Sequence, residues 1–246
     1  MTGPGRTVVL TGAAGSLGRA LAQRLAVEAG TRLVLCDVDA AGLDDARRSL
    51  AGSDVETVVT DVGDPAQVDA AVAFAVDRFG GVDVMINNAG VLAPNARMHH
   101  LTAADWDRQI RVNLMGVVHG MTAAVRVMRA GGGGSIVNTA SVAGLAAWTH
   151  SAPYCATKAA VIHLSKVAAL EYARDAIRVN CVCPGTFESG MSAHLPAEAL
   201  GAIAARHPLG IGTPADLVGA YAYLAGPESR WTTGTALVVD GGYAAP

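Results

Sequence analysis

The stretch Thr7-Val-Val-Leu-Thr-Gly-Ala-Ala-Gly-Ser-Leu-Gly18 decides the fold of this chain. Its first residues, 7–10, are a short apolar run bounded by glycine, which is typical of a buried strand. Beyond the glycine-rich turn, Leu17, Leu21 and Leu25 recur every four residues and predict a helix over about 17–29. Strand, turn and helix in this order predict a βα unit.

The same alternation continues along the rest of the chain. We predict further strands at 32–36, 55–60, 82–86, 135–139, 177–183 and 236–239, and further helices at 41–50, 65–79, 103–128, 152–174 and 215–224. Residues 184–214 are predicted to be irregular. Strands that alternate with helices form right-handed βαβ units. We therefore expect one α/β domain over 1–246, a Rossmann-type doubly wound parallel β-sheet flanked by helices on both faces.

Composition excludes several classes of partner. The 246 residues have a net charge of −3, so no broad basic field is available for nucleic acid or an anionic membrane. The longest stretch without a formal charge, 130–157, has four glycines at its start and several polar side chains, which argues against a membrane span. With no hydrophobic N-terminal signal segment, we expect a cytoplasmic protein with reduced cysteines. Cys181 and Cys183 lie in an apolar run without a second ligand pair, so we expect no metal site.

The turn at 11–18 is suited to a dinucleotide. Glycines there let the backbone approach a pyrophosphate, and the N–H groups of the following helix point at it. Asp37 ends the second predicted strand about 20 residues further on, where a carboxylate accepts hydrogen bonds from a ribose and repels a 2′-phosphate. No Arg or Lys stands beside it, which favours NAD over NADP. The alternative is that Asp37 only caps the following turn.

Tyr154 and Lys158 form the most informative pair in the second half of the chain. The sequence has only two lysines, Lys158 and Lys166, against sixteen arginines. At positions i and i+4 of a helix, the Tyr154 and Lys158 side chains share a face. A cation held there favours the tyrosinate, so we expect a lowered Tyr154 pKa and a general acid/base. The alternative is an amphipathic helix in which the two residues occur together by chance.

These features together make the chain resemble a short-chain dehydrogenase/reductase. The shared motifs are the TGxxxGxG-like turn Thr11–Gly18, Asp61-Val62, Asn87-Asn88-Ala89-Gly90, Asn113, Ser141 thirteen residues before Tyr154, the Tyr154-xxx-Lys158 pair, Pro184-Gly185 and Asp240-Gly241-Gly242. Two positions depart from the pattern. Ser16 replaces the middle glycine of the turn, which leaves the turn's detailed geometry open, and Ser189 replaces a threonine while keeping a hydroxyl.

The resemblance implies a role for each matching residue. Tyr154 exchanges the proton of the alcohol, Lys158 lowers the Tyr154 pKa and binds the nicotinamide ribose, Ser141 binds the substrate oxygen, and Asn113 holds a water next to Lys158. The implied cofactor-binding residues are Gly12, Gly15, Ser16, Leu17, Gly18, Asp37, Val38, Asp61, Val62, Asn88, Ala89, Gly90, Tyr154, Lys158, Pro184, Gly185, Thr186 and Ser189. The cofactor half then spans about 1–130 and the catalytic half about 131–246.

Substrate specificity is expected in 143–151 and in a variable loop at 186–207. The candidate substrate residues are Ser141, Ala143, Trp148, His150, Phe187 and Met191. Since the variable loop has no cluster of Arg or Lys, we expect a small or medium secondary alcohol, or the corresponding ketone. Val117, Val118, Val161 and Ile162 give two helices apolar residues on more than one face, and family members pack these helices against a partner, so we expect a homotetramer or a dimer.

Three other functions remain open at this point. The first is an NADPH-dependent carbonyl reductase or 3-oxoacyl carrier-protein reductase, which Asp37 disfavours. The second is a non-catalytic dinucleotide-binding protein, which the intact set Asn113, Ser141, Tyr154 and Lys158 disfavours. The third is an epimerase or dehydratase, which is usually a longer chain. The fold alone does not separate these activities.

Overall fold

A computed structural model describes residues 5–190 and 197–245 and contains one seven-stranded parallel sheet. The strands run in the order β3-β2-β1-β4-β5-β6-β7. Their bounds are β1 Thr7–Thr11, β2 Arg32–Asp37, β3 Asp54–Val59, β4 Val84–Asn87, β5 Gly134–Thr139, β6 Ile177–Pro184 and β7 Ala236–Val239. The order reverses between β1 and β4, so the carboxyl ends of these strands flank a crevice.

Helices cover both faces of the sheet. They are α1 Ser16–Ala26, α2 Ala40–Ser49, α3 Pro65–Phe79, α4 Ala103–Gln109, α5 Gly116–Gly131, α6 Ala152–Tyr172, α7 Ala197–Ala204 and α8 Pro214–Ala225. One core cluster packs α3, α5 and α6 against the sheet. A second packs α1, α2 and α8 against the opposite face. The predicted doubly wound α/β fold is confirmed.

Three predicted segments differ from the structure. The first helix ends at Ala26 instead of 29, because the N–H groups of Glu28 and Thr31 bond back in two successive turns. The helix predicted over 103–128 is interrupted by a π-helical turn, Ile110–Met115. The sequence analysis did not detect this turn, because single-turn π-helical insertions within α-helices are rare. Finally, α7 lies within the segment predicted to be irregular.

The apolar residues cited for assembly are mostly used inside the protomer. Val117, Val161 and Ile162 are buried, and Val118 is half-buried. Val117, Val161 and Ile162 belong to the core cluster that packs α5 and α6 onto the sheet, so this part of the sequence argument was wrong. The exposed apolar side chains on α6 are instead Val167 and Leu170, the latter 83% exposed. Among the described residues, no helix is long and apolar enough to span a membrane.

Candidate active site

A cavity of about 590 Å³ opens at the carboxyl ends of the strands. Every residue predicted to bind the cofactor lines it, from the glycine turn after β1 to Ser189 after β6. Ser141 lines the same cavity, next to Tyr154 and Lys158. The fold therefore brings residues from both halves of the chain into one space.

Glycine is required at two positions of the turn after β1. Gly12 has φ +67°, and a Cβ there would lie 2.8 Å from the Cα of Ala89. A Cβ at Gly18 would overlap the carbonyl oxygen of Gly12. Gly15 is the N-cap of α1, where a Cβ would meet the Gly12 oxygen at an ordinary 3.4 Å. The turn therefore closes with Ser16 in place of the middle glycine, as the first residue of α1.

Asp37 braces this turn from the end of β2. One carboxylate oxygen accepts the N–H of Ala14 at 2.9 Å, and the other accepts the N–H of Asp39 at 3.1 Å. The second contact is the turn-capping role considered as an alternative, and it coexists with the position of Asp37 on the cavity wall. The guanidinium of Arg19 is occupied by the carbonyl oxygens of Ala14 and Gly42, at 2.8 and 3.1 Å.

Asn88 holds three strands together beside the turn. Its side-chain amide donates to the carbonyl oxygens of Thr11 and Gly12, both at 3.1 Å. The Thr11 hydroxyl oxygen in turn accepts the N–H groups of Asn88 and Ala89. Asn88 therefore fixes the glycine turn in place and also lines the cavity.

Asp61 and Val62 line the cavity beyond β3. The Asp61 carboxylate accepts a hydrogen bond from Arg111 at 2.7 Å and from the N–H of Gly63 at 2.9 Å. The Arg111 guanidinium holds the pKa of Asp61 below its usual value. This pair links β3 to the π-helical turn.

Lys158 is buried and points towards the end of β5. Its ammonium donates to the carbonyl oxygen of Thr139 at 2.7 Å and lies 5.7 Å from the centre of the Tyr154 ring. Burial lowers the pKa of Lys158 to about 8, since desolvation disfavours the charged form. Gly90 leaves room beside it, because a Cβ there would lie 3.7 Å from the ammonium.

The Tyr154 pKa differs from the sequence expectation. Burial raises the pKa of the phenol above its ordinary value, and a hydrogen bond with the Ser141 side chain acts in the opposite direction. The expected lowering of the Tyr154 pKa by Lys158 was therefore wrong. The Lys158 ammonium is engaged by the Thr139 carbonyl oxygen, and desolvation of the phenol dominates the shift of the Tyr154 pKa.

Asn113 lies in the π-helical turn and is fully buried. Its side chain accepts the N–H of Val91 at 2.8 Å and donates to the Val91 carbonyl at 2.9 Å and to Gln109 at 2.6 Å. All these contacts fix the segment that follows Gly90. The side-chain amide is thus committed to protein partners, and a water-holding role for Asn113 stays a prediction. Gln109, which sequence reasoning missed, is also fully buried and donates to Val91.

The candidate substrate residues divide into two groups. Ser141, Trp148 and Phe187 line the cavity. Ala143 does not, because it is buried and donates its N–H to the Ser141 hydroxyl at 3.1 Å. His150 does not either; it is exposed, in a turn with φ +64°. Met191 lies outside the described residues.

Trp148, which lines the cavity, and Tyr243, which packs against Trp148 and does not line the cavity, form an aromatic wall beside Tyr154. The Trp148 ring lies parallel to Tyr154 with centres 6.2 Å apart, and Tyr243 meets Trp148 edge-on at 6.1 Å. Tyr243 packs in turn on His207, with centres 4.7 Å apart. Sequence reasoning missed Tyr243 and His207. The only sequence signal was an aromatic residue directly after the Asp240-Gly241-Gly242 motif.

Comparison with known proteins identifies the family of this chain. Residues 12–244 match a family model described as enoyl-(acyl carrier protein) reductase. Cis-4-hydroxycyclohexanecarboxylate dehydrogenase of Sinomonas cyclohexanicum is 42% identical over 98% of this chain and 97% of that protein. 2,5-Dichloro-2,5-cyclohexadiene-1,4-diol dehydrogenase LinX of Sphingobium indicum is 35% identical over 97% of this chain and 96% of that protein.

A solved structure agrees with these relatives. The crystal structure of a short-chain type dehydrogenase/reductase from Mycobacterium marinum is similar, with a TM-score of 0.94 and 33% identity, covering 99% of this chain and 97% of that one. The whole length of the described fold is therefore accounted for by one family. This chain belongs to the short-chain dehydrogenase/reductase family of nicotinamide dinucleotide-binding oxidoreductases and acts on CH–OH groups.

Proposed function

We propose that the protein is an NAD(H)-dependent dehydrogenase that interconverts a secondary alcohol on a six-membered carbocycle and the corresponding ketone, with Tyr154 as the general acid/base. The observation that carries this proposal is the convergence of Ser141, Tyr154 and Lys158 on one cavity whose far end is walled by Asp37. A non-catalytic binding protein has no need of a buried lysine next to a tyrosine that is hydrogen-bonded to a serine.

The dinucleotide fits the cradle at the start of α1. Gly12 and Gly18 leave no space for side chains, and the free N–H groups at the start of α1 face the cavity. In this proposal the turn at 12–18 holds the pyrophosphate, Asp37 the adenosine ribose, and Lys158 the nicotinamide ribose. Bound NAD supplies a hydride acceptor at its nicotinamide ring.

Side chains of the protein bind the substrate hydroxyl and exchange its proton. Ser141 would orient the substrate hydroxyl, and the Tyr154 oxygen would take its proton. In the reverse direction, Tyr154 returns the proton to the carbonyl oxygen. Lys158 would hold the nicotinamide ribose, and its ammonium would favour the tyrosinate against the effect of burial. Asn113 and Gln109 keep the Val91 segment in position.

Two observations support a cyclic substrate. The cavity wall around Tyr154 is apolar and aromatic, with Val91, Leu92, Trp148, Phe187 and Ile203. The names of two relatives place a hydroxyl group on a cyclohexane or cyclohexadiene ring. A flat aromatic wall presents a large contact area to a ring of this size.

NAD is proposed over NADP because of Asp37. The 2′-phosphate of NADP would meet the Asp37 carboxylate, which repels it. The Arg19 guanidinium is already occupied by two carbonyl oxygens. The NADPH-dependent reductase, with a ketone or a carrier-protein thioester as substrate, is the rival activity.

The test is a rate comparison on the purified protein. Cyclohexanol, cis- and trans-4-hydroxycyclohexanecarboxylate, cyclohexane-1,2-diol and linear 2-hexanol are each supplied with NAD or NADP, and NADH or NADPH production is followed at 340 nm. We expect the cyclic alcohols with NAD to give the highest kcat/KM. Faster turnover of 2-hexanol than of every ring, or a preference for NADP, would contradict the proposal. Reduction of an acetoacetyl thioester with NADPH as the fastest reaction would favour the rival activity.

Assembly is proposed separately. Val167 and Leu170 leave an exposed apolar strip on α6, which a second copy would cover in a homotetramer or a dimer. Sedimentation at micromolar concentration checks this, and a clean monomer of 24.9 kDa would contradict it.

A further inference from the structure

His207 is a buried imidazole just after α7, only 3% exposed. Its Nδ1 lies 2.8 Å from the carbonyl oxygen of Ile203, and its Nε2 lies 3.1 Å from the backbone nitrogen of Thr186. A carbonyl oxygen only accepts, so Nδ1 carries the proton and Nε2 accepts the N–H of Thr186. Two backbone groups from different segments thereby fix a neutral imidazole in one tautomer.

Thr186 is part of the cavity floor beyond β6. Its N–H is held by His207, and its carbonyl oxygen accepts the N–H of Gly212 at 3.2 Å. Both backbone polar groups of this residue are therefore tied to segments distant in sequence. Without His207, the N–H of Thr186 would lose its partner and the floor would be held from one side only.

The same imidazole supports the aromatic wall. Its ring packs on Tyr243, which meets Trp148, which lies against Tyr154. Among the described residues, the Trp148 indole N–H is buried without a hydrogen-bond partner. The orientation of this side chain therefore depends on its ring contacts, and Tyr243 provides one of the two.

We propose that His207 is a positioning residue of the active site, which sets the cavity floor through Thr186 and the aromatic wall through Tyr243. This inference rests on the proposed function, because the wall is taken to contact a cyclic substrate. His207 itself touches neither substrate nor reacting atoms. It acts by holding two surfaces of the cavity at a fixed separation.

Three substitutions separate the two supports. His207→Gln places an amide oxygen near the position of Nε2 and keeps an acceptor for Thr186, but loses the ring. His207→Phe keeps a ring against Tyr243 but has no acceptor. His207→Asn is too short for Thr186 and has no ring, so it loses both. His99→Gln is the matched control, because His99 is exposed and does not line the cavity.

Two readouts on the ligand-free protein need no activity. Amide hydrogen exchange at Thr186 should stay slow in His207→Gln and speed up at least about tenfold in the Phe and Asn variants, since one hydrogen bond is lost. Trp148 emission, isolated by Trp106→Phe and Trp231→Phe, should remain as in wild type in His207→Phe and shift in the Gln and Asn variants. The control should change neither.

Kinetic measurements then test whether the His207 contacts with Thr186 and Tyr243 affect the reaction. The KM for the cyclic alcohol should rise about threefold to tenfold in the Gln and Phe variants and most in Asn, with kcat changing less. Unchanged Thr186 exchange and Trp148 emission in all three variants would overturn the proposal, whatever the activity. If kcat and the thermal midpoint both fell while KM stayed unchanged, His207 would have a merely structural role, and this result would also overturn the proposal.

A second route avoids replacing the buried imidazole. If the His207 variants do not fold, Tyr243→Leu removes the ring between His207 and Trp148. It should shift Trp148 emission and raise the same KM, while Thr186 exchange stays slow. If the exchange readouts behave as expected and no cyclic alcohol is turned over, the positioning role stands and the proposed substrate class fails.

Discussion

The two ends of the active-site cavity are built in different ways. The cofactor end consists of the turn after β1 and Asp37, and its hydrogen bonds join consecutive elements of the βαβ unit. The substrate end assembles Trp148, His207 and Tyr243 from three separate segments, through ring contacts. Most of the first region lies within the first βαβ unit and is joined to β4 through Asn88, whereas the second exists only when the whole domain is folded.

Because of this difference, substitutions at the two ends should have separate effects on cofactor binding and on substrate binding. A substitution at the cofactor end should affect dinucleotide binding and leave substrate selection intact, while one at the substrate end should do the reverse. Tyr154 and Ser141 lie where the two ends meet, so their loss should affect the reaction itself.

The largest expected effect is that of Tyr154→Phe. Turnover should fall by about 10²–10⁴-fold, because the proton loses its donor and acceptor. The dissociation constant for NAD should change by less than about twofold, as one contact of many is altered. Steady-state kinetics and calorimetry measure the two quantities. The control is Tyr172→Phe at the other end of α6, and substantial activity in Tyr154→Phe would show that another group carries the proton.

Ser141→Ala should come next. Losing a hydrogen-bond donor to the reacting oxygen should reduce kcat by about 10²–10³-fold. The Ser141 hydrogen bond lowers the Tyr154 pKa, so its removal raises that pKa further. Alcohol oxidation needs the deprotonated phenol, and its rate should therefore begin to rise at higher pH than in wild type. A pH–rate profile that keeps its midpoint, or moves it to lower pH, would disprove this role.

At the cofactor end, Asp37→Ala combined with Val38→Arg should shift the ratio of kcat/KM for NAD and NADP towards NADP by about a hundredfold. The carboxylate that repels a 2′-phosphate is gone, and a guanidinium is supplied. Asp37→Asn serves as a control that keeps an acceptor for the turn but removes the charge. The KM for the alcohol should not change. An unaltered cofactor ratio in the double variant would mean that Asp37 acts only as a brace.

Gly18→Ala tests the backbone cradle. Its Cβ would overlap the Gly12 carbonyl, so we expect a loss of about 1–3 kcal/mol in the free energy of unfolding. NAD binding should weaken about tenfold, because the turn must move away from the pyrophosphate. Gly15→Ala is the matched variant for stability, since its Cβ meets only one atom at 3.4 Å. Equal destabilisation by the two substitutions, measured in urea, would contradict the steric argument.

The smallest effect is expected from Trp148→Leu. The KM for the cyclic alcohol should rise about threefold to tenfold, since the flat wall is lost while an apolar side chain remains. The dissociation constant for NAD should not change. If both quantities rise together, the two ends of the cavity are coupled and the comparison drawn above fails.

Much of this site follows from short patterns in the chain. The turn at 11–18, Asp37, Asn88 and the Tyr154-Lys158 pair were predicted from sequence or from the resemblance, and all line the cavity. The reason is that a glycine-rich turn between a strand and a helix has few conformations, and residues four apart on a helix share a face. The same local rules predicted α3 at 65–79 with its bounds unchanged.

Long-range contacts account for what the sequence did not reveal. The π-helical turn was not detected from the sequence, and it buries Asn113 against Val91 and Gln109. The direction of the Tyr154 pKa shift depends on burial and on the Lys158–Thr139 contact, neither of which is encoded by the spacing of the pair. His150 looked suitable from its position in the sequence, but its turn directs it away from the cavity lining.

The sequence by itself predicted the parallel α/β fold, a dinucleotide-binding turn and the Tyr154-Lys158 pair, because each prediction rests on residues close together along the chain. Only the tertiary structure decided the aromatic wall, the buried His207 and the protonation preferences of Tyr154 and Lys158. These depend on which distant segments meet and on how much water they exclude, and desolvation and ring packing are properties of the folded domain as a whole.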